Sequence, residues 1–140
     1  MHISARNDYA VQAMLAIAAL PDSSVTTREL ATMQNIPATY LSSILSDLRR
    51  AGLLKSRSGT DGGYGLARPA GQISIGDIMR AVSGELASIR SRPPHTISYH
   101  GAATHLPALW RAVHAATSEL LDNTTLDDLL DSRERATGGP

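Results

Sequence analysis

"TTRELATMQNIPATYLSSILSDLRRAGLL", residues 26–54, contains two helices and the turn between them. Thr26 is followed three residues later by Glu29, the spacing of a capping box that starts a helix. Leu30, Ala31 and Met33 supply the buried side of that short helix. Asn35 tolerates left-handed backbone and Pro37 presets φ for a turn or a first helical position, so the break is only a few residues long. Leu41, Ile44, Leu45 and Leu48 then recur at i, i+3, i+4, i+7. This leaves Thr39, Tyr40, Ser42, Ser43, Ser46 and Arg50 on the outer side, and Gly52 ends the helix. A short capped helix, a tight turn and a second helix with a polar outer face describe a helix-turn-helix, whose second helix fits a DNA major groove.

Downstream, "LLKSR" and "YGLAR" read as two short strands around "SGTDGG", a loop whose glycines permit positive φ and close approach to a phosphate backbone. The hairpin is thin and carries Lys55, Arg57 and Arg68, as expected of a wing that reaches a minor groove or backbone beside the reading helix. Upstream, Ser4 precedes Tyr9, Ala10, Ala13, Met14, Ile17 and Ala18 at helical spacing, and Pro21 stops that helix. The predicted fold class is mainly α with a small β-hairpin: a winged helix-turn-helix domain with a long C-terminal dimerisation helix.

The chain has 140 residues, 42% of them hydrophobic, which suits one domain with an appendage. Its formal net charge is zero, yet the charges are segregated. Residues 49–68 hold Arg49, Arg50, Lys55, Arg57 and Arg68 against Asp61 alone, whereas 119–134 hold six acidic residues against Arg133. There is no cysteine, which removes disulfides, thiolate metal sites and cysteine nucleophiles. The longest apolar stretch, around Met14 to Leu20, is too short to span a bilayer, and the N-terminus has no signal-peptide pattern; a cytoplasmic protein is expected, with no membrane partner. No nucleophile elbow, phosphate-binding loop or metal-binding helix motif is present, which argues against an enzyme. A glycine hairpin or a serine-lined helix alone has bland explanations; their order along one stretch is what points to DNA.

The C-terminal part reads differently. From His105 to Asp122, Leu106, Leu109, Trp110, Val113, Thr117, Leu120 and Leu121 form one stripe, with Pro107 in the first turn. Exposing so many large side chains is costly, since burying each is worth roughly 1.5–3 kcal/mol, so a two-chain interface is expected over packing within one chain. Thr125 caps a last turn, "LDDLL". The expected organisation is a DNA-binding domain at 1–83, an irregular sensor loop at 84–104, the dimerisation helix and last short helix at 105–131, and a disordered tail at 132–140.

"ISARNDYAVQAMLAIA", "IPATYLSSILSDLRRAGLLKS", "GGYGLARPAGQISIGDIMRAV" and "LPALWRAVHAATSELLDNTTLDDLL", in this order, resemble the Rrf-two (Rrf2) family of bacterial winged-helix regulators, the group that includes IscR, NsrR and CymR. The resemblance covers residues 1 to about 131 and implies a homodimer, a repressor in character, on a roughly palindromic duplex DNA operator. It places Thr39, Tyr40, Ser42 and Ser43 where the reading helix meets DNA, and Ser58, Gly59, Thr60, Gly62 and Gly63 at the wing tip. Thr26 and Arg28 at the start of the motif, with Arg49, Arg50 and Arg57, complete the implied DNA-binding set. Members such as IscR carry glutamate and glutamine where Ser42 and Ser43 stand, and the family's wing arginine is replaced by Ser58, so the target sequence should differ. Iron–sulfur members hold a cysteine cluster where this chain has "ELASIRSRPPHTISYHGAATHLPALW", so no cofactor is expected. His95, His100 and His105 in that segment leave a metal-responsive regulator open, as do an unidentified small-molecule effector and a protein-binding winged-helix adaptor.

Overall fold

The computed structural model describes residues 2–57, 62–84, 86 and 97–131. Its helices are α1 (Ala5–Ala18), α2 (Thr27–Gln34), α3 (Ala38–Arg50), α4 (Ile75–Ser83), α5 (Leu106–Asp122) and a last short helix, α6, over 126–131. Strands β1 (Leu54–Ser56) and β2 (Tyr64–Leu66) form an antiparallel pair in the register Leu54↔Leu66, Lys55↔Gly65, Ser56↔Tyr64.

Local chemistry accounts for the boundaries. Ser4 caps α1 by accepting from the Asn7 amide at 3.1 Å. Thr26 and Glu29 make the expected capping box on α2, which ends at Asn35 in the left-handed conformation (φ 53°). Gly52, at φ 80°, closes α3 and lets the Leu53 amide donate back to the Leu48 carbonyl at 3.0 Å. Ser74 with Asp77, and Thr125 with Asp128, repeat the capping box on α4 and α6.

Packing joins these elements into one core. Met14 and Ile17 of α1, Leu30 of α2, and Leu41, Ile44, Leu45 and Leu48 of α3 are fully buried together with Leu53, Ile73 and Ile78. Met33 departs from its expected place and is 47% exposed. Helix α2 has only eight residues, and the left-handed turn at Asn35 brings Ile36 inward in its stead.

The hairpin is held from a third side. Val25 bridges Tyr64, with Val25 N–H donating to Tyr64 O at 3.1 Å and Tyr64 N–H to Val25 O at 2.9 Å, so β2 runs between β1 and the segment leading into α2. Ser24 donates its hydroxyl to the Gly62 carbonyl at 2.7 Å. Here glycine is demanded twice: Gly62 and Gly63 have φ of 69° and 122°, and a Cβ on Gly63 would lie 2.1 Å from Ser24 Oγ.

The chain after α5 returns to the core. Ile75 N–H donates to the Thr124 carbonyl at 2.8 Å and Leu126 N–H to the Ile73 carbonyl at 3.1 Å, which seats Leu126 in the core with no exposed surface. Arg80 of α4 makes two hydrogen bonds to Asp122, at 2.7 and 2.9 Å. Gly76 allows that carboxylate its place, since a Cβ there would sit 2.0 Å from Asp122 Oδ1.

Because Gly62 has open space where a Cβ would go and Gly63 does not, the two alanine variants separate strain from crowding. Gly62→Ala is expected to cost about 1 kcal/mol and Gly63→Ala about 2–4 kcal/mol. Urea midpoints at constant m-value measure both; equal costs would mean that Ser24 yields.

Candidate nucleic-acid interface

Burial of one side of α3 sets its other side in solvent. Thr39, Tyr40, Ser42 and Ser43 are all exposed there, while Ser46 is half-buried. Tyr40 is steadied by Tyr9 of α1, the rings meeting edge to face at a centroid distance of 5.9 Å and an angle of 72°. Ser42 donates its hydroxyl to the Ala38 carbonyl one turn back at 3.3 Å. Ser43 instead accepts a hydrogen bond from Arg6 Nη2 at 3.2 Å.

Arg6 is the member of this surface that sequence reasoning missed. From the first turn of α1 it donates to the Val82 carbonyl at the end of α4 at 2.9 Å, to Ser43, and to Asp47. Asp47 also binds Arg50, so one carboxylate stands between two guanidinium groups. Burial pushes the Asp47 carboxyl up, but the hydrogen bonds and charges of Arg6 and Arg50 outweigh it and hold the group below the ordinary aspartate value. Local spacing marks only its Asp47–Arg50 arm, because Arg6 lies 37 to 76 residues from its partners in the chain.

The other expected site residues fall into distinct places. Thr26 spends its hydroxyl on the cap, accepting from the Glu29 amide at 3.1 Å and donating to its carboxylate at 2.9 Å. Arg28 and Arg49 are exposed. Arg57 lies back across Gly65, where a Cβ would be 2.2 Å from its Nε, and donates Nη2 to the Pro21 carbonyl at 3.2 Å. Its guanidinium therefore sits at the root of the wing. Gly62 and Gly63 shape the strand leading out of the loop, whereas Ser58, Gly59 and Thr60 lie outside the described residues.

On α5, Leu109, Val113 and Leu120 are 53%, 40% and 67% exposed. Leu106, Trp110, Thr117 and Leu121 of the same stripe are already half-buried within the chain. His100 and His105 are exposed and His95 lies outside the described residues. Among the described residues no three histidine, aspartate or glutamate side chains are grouped to hold a metal ion, and none of their helices is long and apolar enough to cross a membrane.

Residues 3–132 match the Rrf2 family, described as iron-dependent transcriptional regulators. A candidate HTH-type transcriptional regulator of Mycobacterium tuberculosis is 42% identical over 130 residues, covering 92% of this chain and 81% of that one. The HTH-type transcriptional regulator IscR of Cronobacter sakazakii is 33% identical, over 96% of this chain and 83% of its own. Among solved structures, CymR, the global cysteine regulator of B. subtilis, superposes with a TM-score of 0.79 at 30% identity, covering 94% of this chain and 98% of that chain. T. potens IscR gives 0.78 at 32%, covering 97% and 90%. The iron in the family's description meets a donor set here without any cysteine; these residues do not fit a thiolate-held cluster.

Replacing Asp47 with Asn removes the anion between Arg6 and Arg50. Stability is expected to fall by about 1 kcal/mol, and binding to random-sequence duplex to strengthen, with a salt slope steeper by about one unit per arginine that turns to a phosphate. The Asp47 contribution is fully present above the ordinary value of 3.8 and is lost as pH falls through the lowered native value. Denaturation midpoints of wild type and Asp47→Asn should therefore differ at pH 7 and converge on acidification below that ordinary value.

Proposed function

Because the chain belongs to the Rrf2 family of transcriptional regulators, we propose that it is a sequence-specific DNA-binding repressor that works as a homodimer on a roughly palindromic operator, without an iron–sulfur cluster. The observation that carries this reading is the outer face of α3: four exposed polar residues held on a rigid, fully buried stripe, with Arg49 and Arg50 at the helix end. Helix α3 enters the major groove, where Thr39, Tyr40, Ser42 and Ser43 meet base edges and backbone. Lys55, Arg68 and the wing loop follow the neighbouring phosphates. Arg57 contributes by bracing the hairpin root.

The organisation follows the same division of labour: residues 1–83 bind DNA, 84–104 form the segment open to an effector, and 105–131 make the dimer. The exposed Leu109, Val113 and Leu120 of α5 support the last assignment, since a second copy would remove them from water. The acidic residues of 119–134 keep that end away from phosphate, which leaves the basic 49–68 region as the DNA-facing side. The absence of cysteine supports a cluster-free regulator whose signal, if a ligand carries it, is not a thiolate-held iron–sulfur centre.

Selection of the purified protein against random duplex DNA, repeated across a salt series, tests the reading. A two-fold symmetric motif with half-sites about one helical turn apart, and an affinity that falls steeply with salt, is the expected result. Enrichment of no sequence by a folded dimer would turn attention to a winged-helix adaptor. In the same protein, Leu109→Asp with Leu120→Asp is expected to leave helical content unchanged, convert the dimer to monomer in sedimentation equilibrium, and lower operator affinity by at least tenfold, about 1.4 kcal/mol.

A further inference from the structure

We propose that Arg6 sets the hydrogen-bonding polarity of the reading face, so that Ser43 offers a proton to base acceptors while its neighbour Ser42 offers lone pairs to base donors. The inference rests on the DNA-reading function proposed above and adds to it a positioning residue outside the helix-turn-helix.

A serine hydroxyl has one proton and two lone pairs, whereas an arginine guanidinium has only donors. The 3.2 Å contact from Arg6 Nη2 therefore makes Ser43 Oγ an acceptor toward the protein. Among the described residues that is its one hydrogen bond, so the proton stays available on the exposed side of α3. Ser42 is the reverse case. Its proton goes to the Ala38 carbonyl at 3.3 Å, in the manner usual for serine in a helix, and lone pairs face outward. Two adjacent side chains of the same type thus present opposite chemistry.

Arg6 is held firmly enough to impose this. It bonds the Val82 carbonyl at 2.9 Å through Nε and Asp47 through Nη2, which orients the guanidinium plane and offsets its charge. In the major groove the donors are the amino groups of adenine and cytosine, and the acceptors are purine N7, guanine O6 and thymine O4. Ser43 then donates to guanine, thymine or adenine and disfavours cytosine, which shows only an amino group there. Ser42 favours adenine or cytosine.

The test is the random-duplex selection run in parallel with wild type, Ser43→Ala, Arg6→Met and Arg6→Lys, each checked for a cooperative thermal transition. Wild type is expected to disfavour cytosine about three- to tenfold at one position in each half-site, as one hydrogen bond allows. Ser43→Ala flattens that position. Arg6→Met flattens it as well, because the Ser43 proton can then turn to the helix carbonyl, while Arg6→Lys, which keeps a donor-only group, restores the preference. A purely structural Arg6 would lower affinity for every sequence and leave the base preference intact, and that outcome overturns the proposal. A wild-type preference for cytosine at the position that Ser43→Ala flattens overturns it independently of any Arg6 variant. Enrichment of no sequence by wild type would instead remove the DNA-reading function, and this inference with it.

Discussion

Four side chains of α3, Leu41, Ile44, Leu45 and Leu48, are wholly excluded from water beneath α1 and α4, and the placement of every polar group on the opposite face follows from that burial. A helix pinned along one stripe has no freedom to rotate: turning by one residue, about 100°, would put leucine in solvent and serine in the core. At roughly 1.5–3 kcal/mol per large apolar side chain, the stripe outweighs any single polar contact on the outer face. The exposed face of α3 is therefore held in a set orientation by the core beneath it.

On this frame the polar contacts make finer adjustments. Arg6 joins the start of α1 to the middle of α3 and the end of α4, and Asp47 holds both Arg6 and Arg50 at the edge of the exposed face. The arrangement offsets part of the positive charge at the end of α3. At the wing, the Val25–Tyr64 bridge and the Ser24–Gly62 bond tie the hairpin to the segment entering α2, so hairpin and helix pair form one body.

The C-terminal region combines an anchored end with an exposed face. Leu126 is sealed in the core and the Arg80–Asp122 pair clasps α4 to the end of α5, where the arginine's hydrogen bonds lower the Asp122 carboxyl below its ordinary value. Helix α5 itself, between these points and its N-terminus, has no fully buried residue. A helix so attached at its end, with leucines turned to water along its length, carries its outer face in a set orientation relative to α4 and hence to α3.

Periodicity and caps were enough to place α1, α2, α3 and the hairpin, because each depends on residues within a few positions: Ser4, Thr26 with Glu29, Asn35, Gly52, and the i, i+3, i+4, i+7 leucines of α3. The motif order likewise led to the family. Met33 was misplaced because a local spacing cannot tell which side of an eight-residue helix its neighbours cover. Equally invisible were Arg6 on Ser43, Arg57 laid back on Gly65, the Val25 bridge to Tyr64, and Leu126 in the core. Each of these joins residues from 8 to 53 positions apart. Helix, turn and hairpin were legible along the chain, since they follow from local hydrogen bonding and side-chain spacing. Which hydroxyl donates and which accepts, and which arginine is spent on the protein, depend on the partner that the fold brings alongside, and so became visible in three dimensions alone.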